Sequence, residues 1–244
     1  MLDGLKRLFS RGPAAAAPAA DLAAWAAGRQ YTYRPVRDGS GFIVDGRLGA
    51  LPWRLEWGPS QRGYIKTSEL RLRAELGLAS ALQVALIDRP LAESMERAMF
   101  DEYVEGVQTR IDDQTPPEMR WLVMYAKLDA ASMKPLRDHF VALGNSQEWL
   151  RQWLEGPLTE ALRAAPLIAG NPLVMVVARG RLSLRTAVEA PEAADLQQWV
   201  RLFESAMREA RRVTSAAGDA ASTQPSLWSS SALSPDQADG PVRP

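Results

Sequence analysis

Apolar and polar residues alternate along the first third of the chain. Trp53, Leu55 and Trp57 fall on one side of the 52–57 segment, with Arg54 and Glu56 on the other. Leu70, Leu72, Ala74 and Leu76 alternate in the same way with Glu69, Arg71, Arg73 and Glu75. A period of two predicts strands with one buried face. Together with segments 31–36, 42–44 and 82–87, they predict an antiparallel meander of about five strands. Asp45-Gly46 reads as a hairpin turn within it.

The period changes at Leu91. Leu91, Met95, Ala98, Met99, Tyr103 and Val107 recur at spacings of three and four, which predicts a helix. Thr115, Pro116 and Glu118 predict a second helix start, with Thr115 as N-cap, Pro116 in the first turn and Glu118 closing a capping box. Further helices are expected from Ser132 or Met133 to just before Gly144, from Asn145 through Trp149 and Trp153, and over 157–165. Two strands follow, 173–178 and 181–187, joined by Arg179-Gly180. The last helix places Leu196, Trp199, Val200, Phe203, Met207 and Ala210 on one stripe. The fold class this order predicts is α+β: an N-terminal antiparallel β-meander, central helices, then a β-hairpin and a C-terminal amphipathic helix.

Four stretches are expected. Residues 1–20 are an amphipathic start with an Ala/Pro linker, 21–90 a mainly antiparallel β subdomain, 91–213 an α+β subdomain and 214–244 a disordered tail. The tail is rich in Ser, Ala and Pro, with Leu227 and Trp228 as an isolated apolar pair. Pro13, Pro18 and Asp21 interrupt the alanine run near the start, so it reads as a linker rather than a secretory leader. No stretch approaches the ~18 uninterrupted apolar residues of a membrane span.

Composition narrows the chemistry. The 244 residues are 46% hydrophobic, enough for a core, and 29 basic side chains balance 29 acidic ones. Zero net charge argues against nucleic acid as a partner. The absence of cysteine and the single histidine remove thiol nucleophiles, disulfides, iron–sulfur clusters and multi-histidine metal cages. A Ser-His-Asp triad would need His139, which reads as a surface or capping residue. Gly58-Pro59-Ser60-Gln61-Arg62-Gly63 is one residue too long for a nucleophile elbow and joins two strands, where the elbow joins strand to helix. Glu93, Glu96, Arg97 and Asp101 read as a solvated helix face.

Three regions carry candidate function. The loop 58–68 gathers Ser60, Gln61, Arg62, Tyr64 and Lys66 between rigid strands, a setting for an anionic small ligand centred on Arg62. Asp112 and Asp113 supply oxygen ligands of the type Mg²⁺ or Ca²⁺ takes, although negative charge at a helix N-terminus accounts for the same residues. Leu2, Leu5, Leu8 and Phe9 at helical spacing, with Lys6 and Arg7 between them, describe a basic amphipathic segment suited to an anionic membrane surface or a protein partner. No cofactor is expected.

The phrases Gly41-Phe42-Ile43-Val44-Asp45-Gly46, Trp53-Arg54-Leu55-Glu56-Trp57-Gly58-Pro59-Ser60 and Arg110-Ile111-Asp112-Asp113-Gln114-Thr115-Pro116-Pro117-Glu118-Met119-Arg120-Trp121 resemble those of a proteobacterial family of similar length with no assigned activity. The resemblance covers residues 21–213 and implies a bacterial, cytoplasmic setting. It brings no catalytic residue. The expected function is a non-enzymatic interaction or adaptor protein, peripheral at the inner membrane. The alternatives are a carboxylate-dependent divalent-metal enzyme centred on Asp112 and Asp113, and an anionic-ligand module centred on Arg62.

Overall fold

The computed structural model describes residues 17–37, 41–104, 115–167 and 170–222. The amphipathic segment of Leu2, Leu5, Lys6, Arg7, Leu8 and Phe9 lies outside the described residues, as do Asp112, Asp113 and residues 223–244.

The architecture is α+β. In chain order the elements are α1 (Ala17–Ala27), β1 (Thr32–Pro35), β2 (Phe42–Leu48), β3 (Leu51–Gly58), β4 (Glu69–Glu75), β5 (Val84–Asp88), α2 (Arg89–Val104) and α3 (Pro117–Met124). They continue as β6 (Phe140–Gly144), α4 (Gln147–Leu154), α5 (Pro157–Arg163), β7 (Leu173–Ala178), β8 (Arg181–Ala187) and α6 (Ala193–Ser222). All eight strands join one antiparallel sheet in the order β1-β2-β3-β4-β8-β7-β5-β6. The 21–90 and 91–213 stretches therefore share a sheet, and one core runs from Leu22 to Val213.

Which strands are covered on both faces follows from their sequences. β5, β6 and β7 are nearly continuous apolar runs, and both their faces are buried. On one face, Val84, Leu86, Phe140, Met175 and their neighbours in β2, β3, β4 and β8 pack under α1, α4, α5 and α6. On the other, Ala85, Ile87, Val141, Leu143, Val174 and Val176 pack under Ala92 and Met95 of α2 and Trp121 and Leu122 of α3. The alternating strands β3, β4 and β8 turn their apolar side toward α6, with Glu69 of β4 buried on the other side.

Helix α6 is the spine of the covered face. Indole N–H groups reach it from α1, β3 and α4: Trp25 to Gln197 Oε1, Trp53 to Glu204 Oε1, Trp149 to Thr214 Oγ1 and Trp153 to the Ala206 carbonyl. Trp149 and Trp153 are both buried beneath it.

Several expectations are corrected. The meander has four consecutive strands; the fifth, β5, pairs between β7 and β6 instead of beside β4. The helix expected after Ser132 is a series of turns followed by strand β6, because Phe140–Gly144 is buried on both faces and shows no period of two. The turn after β2 is at Gly49-Ala50, not Asp45-Gly46. Gly46 sits mid-strand opposite Trp53, whose ring lies where a Cβ would be, 2.1 Å away. Helix α1 begins at Ala17, within the expected linker, and α6 continues to Ser222, within the expected tail.

Helix α3 starts one residue later than expected, so Pro116 rather than Thr115 holds the N-cap position, and the Glu118 carboxylate accepts from Arg62 and Tyr64 of the preceding loop.

Candidate functional site

Loop 59–68 leaves β3 and returns to β4, and its polar side chains fold back onto buried carboxylates. Arg62 donates from Nε to Glu118 Oε1 at 2.8 Å, and the Tyr64 hydroxyl donates to the same oxygen at 2.6 Å. Glu118 is 1% exposed. Burial, then the Glu118 charge, pushes the Tyr64 phenol well above its ordinary range, so it stays a donor. Burial alone would lower the Arg62 pKa, but Glu118 and Tyr64 together raise it. The remaining loop groups are tied locally. Ser60 Oγ bonds the backbone of Arg62, the Gln61 amide donates to Glu69 Oε2 at 2.7 Å and Lys66 Nζ donates to the Gly63 carbonyl at 2.6 Å.

Glu69 is the second buried carboxylate. Arg71 on β4 and Arg185 on β8 stand directly opposite each other, an arrangement of like charges that costs stability by itself. Glu69 lies between them, accepting from Arg185 Nη1 at 2.5 Å on Oε1 and from Arg71 Nη1 at 3.3 Å on Oε2.

At the end of the sheet where β5 finishes and β6 and β7 begin, a cavity of about 870 Å³ opens. Leu91, Leu136, Phe140, Leu162 and Leu173 give it apolar walls. Tyr64 lines it as well, so one predicted loop residue reaches the cavity; Ser60, Gln61, Arg62 and Lys66 do not line it. Its polar groups are Asp88, Ser94, His139 and Asn171, with Asp138 and Arg163 also in the lining. A second cavity of about 550 Å³ adjoins it, sharing Leu167 and Asn171 and lined further by Thr186 and Trp199.

Asp88 gives the first cavity its chemistry. Burial pushes its carboxyl up to about 6, against the opposing pull of the Leu91 and Leu173 amides. It occupies the position just before α2, and the Leu91 amide three residues on is the group an N-cap carboxylate serves. Among the described residues no basic side chain pairs with it, whereas Asp138 and Arg163 have partners in Arg137 and Glu160. Among the described residues, too, no group of three His, Asp or Glu is placed to hold a metal ion.

Sequence reading missed Asp88. The available signal was a carboxylate ending an apolar strand and preceding Arg89-Pro90 at the start of a helical period.

The Asp88 carboxyl sets a pH dependence. Its folded pKa of about 6 lies above its ordinary value of 3.8, so between those values the folded state holds the proton more tightly than the unfolded state. This contribution is fully present below about pH 4 and is lost as pH rises through about 6. Asp88→Asn keeps a capping oxygen and removes the charge. It is expected to be more stable than the parent in urea titrations at pH 7, with the difference vanishing by about pH 4.

Compared with known protein families, curated proteins and solved structures, the chain finds no match. Among the described residues no helix is long and apolar enough to cross a membrane.

Proposed function

We propose that the protein is a small-molecule binding module whose site is the cavity at the end of β5, and that Asp88 anchors a cationic group on a compact, mainly apolar ligand. One observation carries this reading: a half-buried carboxylate, with no basic partner among the described residues, lies in an 870 Å³ cavity with apolar walls. That volume falls within the roughly 300–1,000 Å³ of small-molecule sites, which combine apolar lining with a few convergent polar groups. An ammonium group would offset the cost of desolvating the carboxylate. The Tyr64, Leu162 and Leu173 side chains would hold the ligand's apolar body, with Ser94, His139 and Asn171 available for orientation.

A panel of aliphatic and aromatic primary amines, screened by thermal shift and followed by calorimetry, tests the proposal. Matched alcohols and carboxylates serve as controls. Amines are expected to raise Tm while carboxylates do not, and Asp88→Asn is expected to remove the amine effect although it leaves the protein more stable. Affinity should fall as pH drops below about 6, by up to ~10-fold per unit, because Asp88 must lose its proton to bind. Failure of every amine, or equal binding by Asp88→Asn, overturns the assignment.

A further inference from the structure

Among the described residues no helix covers one surface of the sheet. Across β1, β2, β3, β4 and β8, the face opposite α6 carries charged side chains, and only loop 59–68 reaches over it, at Glu69 and Arg71. Arg34, Ile43, Glu56, Arg71 and Arg185 form one continuous cross-strand row. Asp45, Arg54, Arg73 and Ser183 form the next. Each carboxylate is shared: Asp45 by Arg34 and Arg54, Glu56 by Arg71 and Arg73, Glu69 by Arg71 and Arg185. Among the described residues five arginines share these three carboxylates, an excess of two positive charges.

The charges are also layered. Arg34, Arg73 and Arg54 keep 53%, 48% and 38% of their side chains exposed, against 30%, 18% and 0% for Asp45, Glu56 and Glu69. Arg34, Arg54 and Arg73 thus stand above the carboxylates, while Arg71 and Arg185, 16% and 20% exposed, lie at the level of the carboxylates, so an approaching molecule meets the donors of the first three. Donors exceed acceptors inside the layer as well, since Arg71 Nε is buried without a partner.

Going beyond the cavity reading and independent of it, we propose that this face docks an acidic segment of a partner protein. Planar guanidinium groups suit carboxylates in paired hydrogen bonds. At about 4.8 Å per strand the five strands span ~19 Å, and strands of seven residues run ~23 Å. A helix of about 14 residues, ~21 Å long and ~11 Å across, matches the length of that face and covers about half its width. The chemistry of the face favours this occupant over two others. Tyr33, Phe42, Trp53 and Trp57 belong to the opposite, covered face, so among the described residues these strands offer nucleic-acid bases no aromatic platform on the charged face. Ile43 is the only large apolar side chain in the two charged rows, which gives a bilayer little to take up.

The test is fluorescence anisotropy with the full chain and a labelled 14-residue peptide of glutamate and alanine. Its controls are the lysine counterpart peptide, an RNA 14-mer and phosphatidylglycerol vesicles. Binding of the glutamate peptide at low salt is expected, weakening as salt rises. The triple variant Arg34→Gln, Arg54→Gln, Arg73→Gln should lose at least ~10-fold in affinity, while Asp88→Asn binds like the parent. If the triple variant does not fold, Arg73→Gln alone and the charge-reversed peptide on the parent protein decide the matter. The proposal is overturned by no binding of the glutamate peptide, by equal binding of the lysine peptide or of the arginine variants, or by tighter binding of the RNA or the vesicles.

Discussion

Replacing Glu69 with alanine is expected to lower the unfolding free energy by about 3–5 kcal/mol, measured by urea titration at pH 7. The size follows from what remains after the change. Arg71 and Arg185 are direct cross-strand neighbours and only about one-fifth exposed, and Glu69, fully buried, holds one on each carboxylate oxygen. Alanine leaves two desolvated like charges facing each other and removes the acceptor of the Gln61 amide. Glu75, exposed and paired with Arg181 on the same strands, is the internal control, since its removal should cost under ~1 kcal/mol. A loss below ~1 kcal/mol for Glu69→Ala as well would mean that water reaches this pair in solution.

The legibility of the fold tracks how local its causes are. β7 and β8 end where the pattern places them because Arg179 and Gly180 both adopt positive φ, 52° and 77°, in the two-residue turn that Arg-Gly marks. The stripe of α6 is similarly self-contained. Strand order is not, because β5 sits between β7 and β6 through pairings of Leu86 with Met175 and Ala142, which no local period encodes. β6 looks helical because burial on both faces erases the alternation that identifies a strand. Gly46 looks like a turn because its reason for being glycine is the Trp53 ring on the neighbouring strand.

The site divides in the same way. Loop 59–68 is visible as a cluster of polar residues, but the carboxylate that holds Arg62 lies 56 positions along the chain. Glu118 itself fits a capping box in sequence, and only the packing of α3 beside the loop shows its other use. The cavity draws walls from Tyr64 to Leu173, so no stretch of sequence announces it. Asp88 has a local signature as a cap, yet its desolvation comes from elements that arrive later in the chain.

Glu118→Ala is the second substitution with a large expected effect, again about 3–5 kcal/mol in urea. One oxygen of this buried carboxylate receives both the Arg62 guanidinium and the Tyr64 hydroxyl, so alanine strands a charge and a donor together. Glu118→Gln keeps an acceptor while losing the charge, and a smaller cost of about 1–3 kcal/mol is expected. The variant Arg62→Met, Tyr64→Phe, Glu118→Leu removes every partner at once and should recover most of the loss, because an apolar replacement leaves no buried group unpaired. That recovery would identify the cluster as a means of seating the loop rather than a net source of stability. Since the Tyr64 ring is also a wall of the cavity, amine binding in the triple variant separates the two roles. Retained binding assigns the Tyr64 ring to the site and its hydroxyl to the fold, whereas lost binding in a stable variant makes the hydroxyl or its Glu118 partner part of the site.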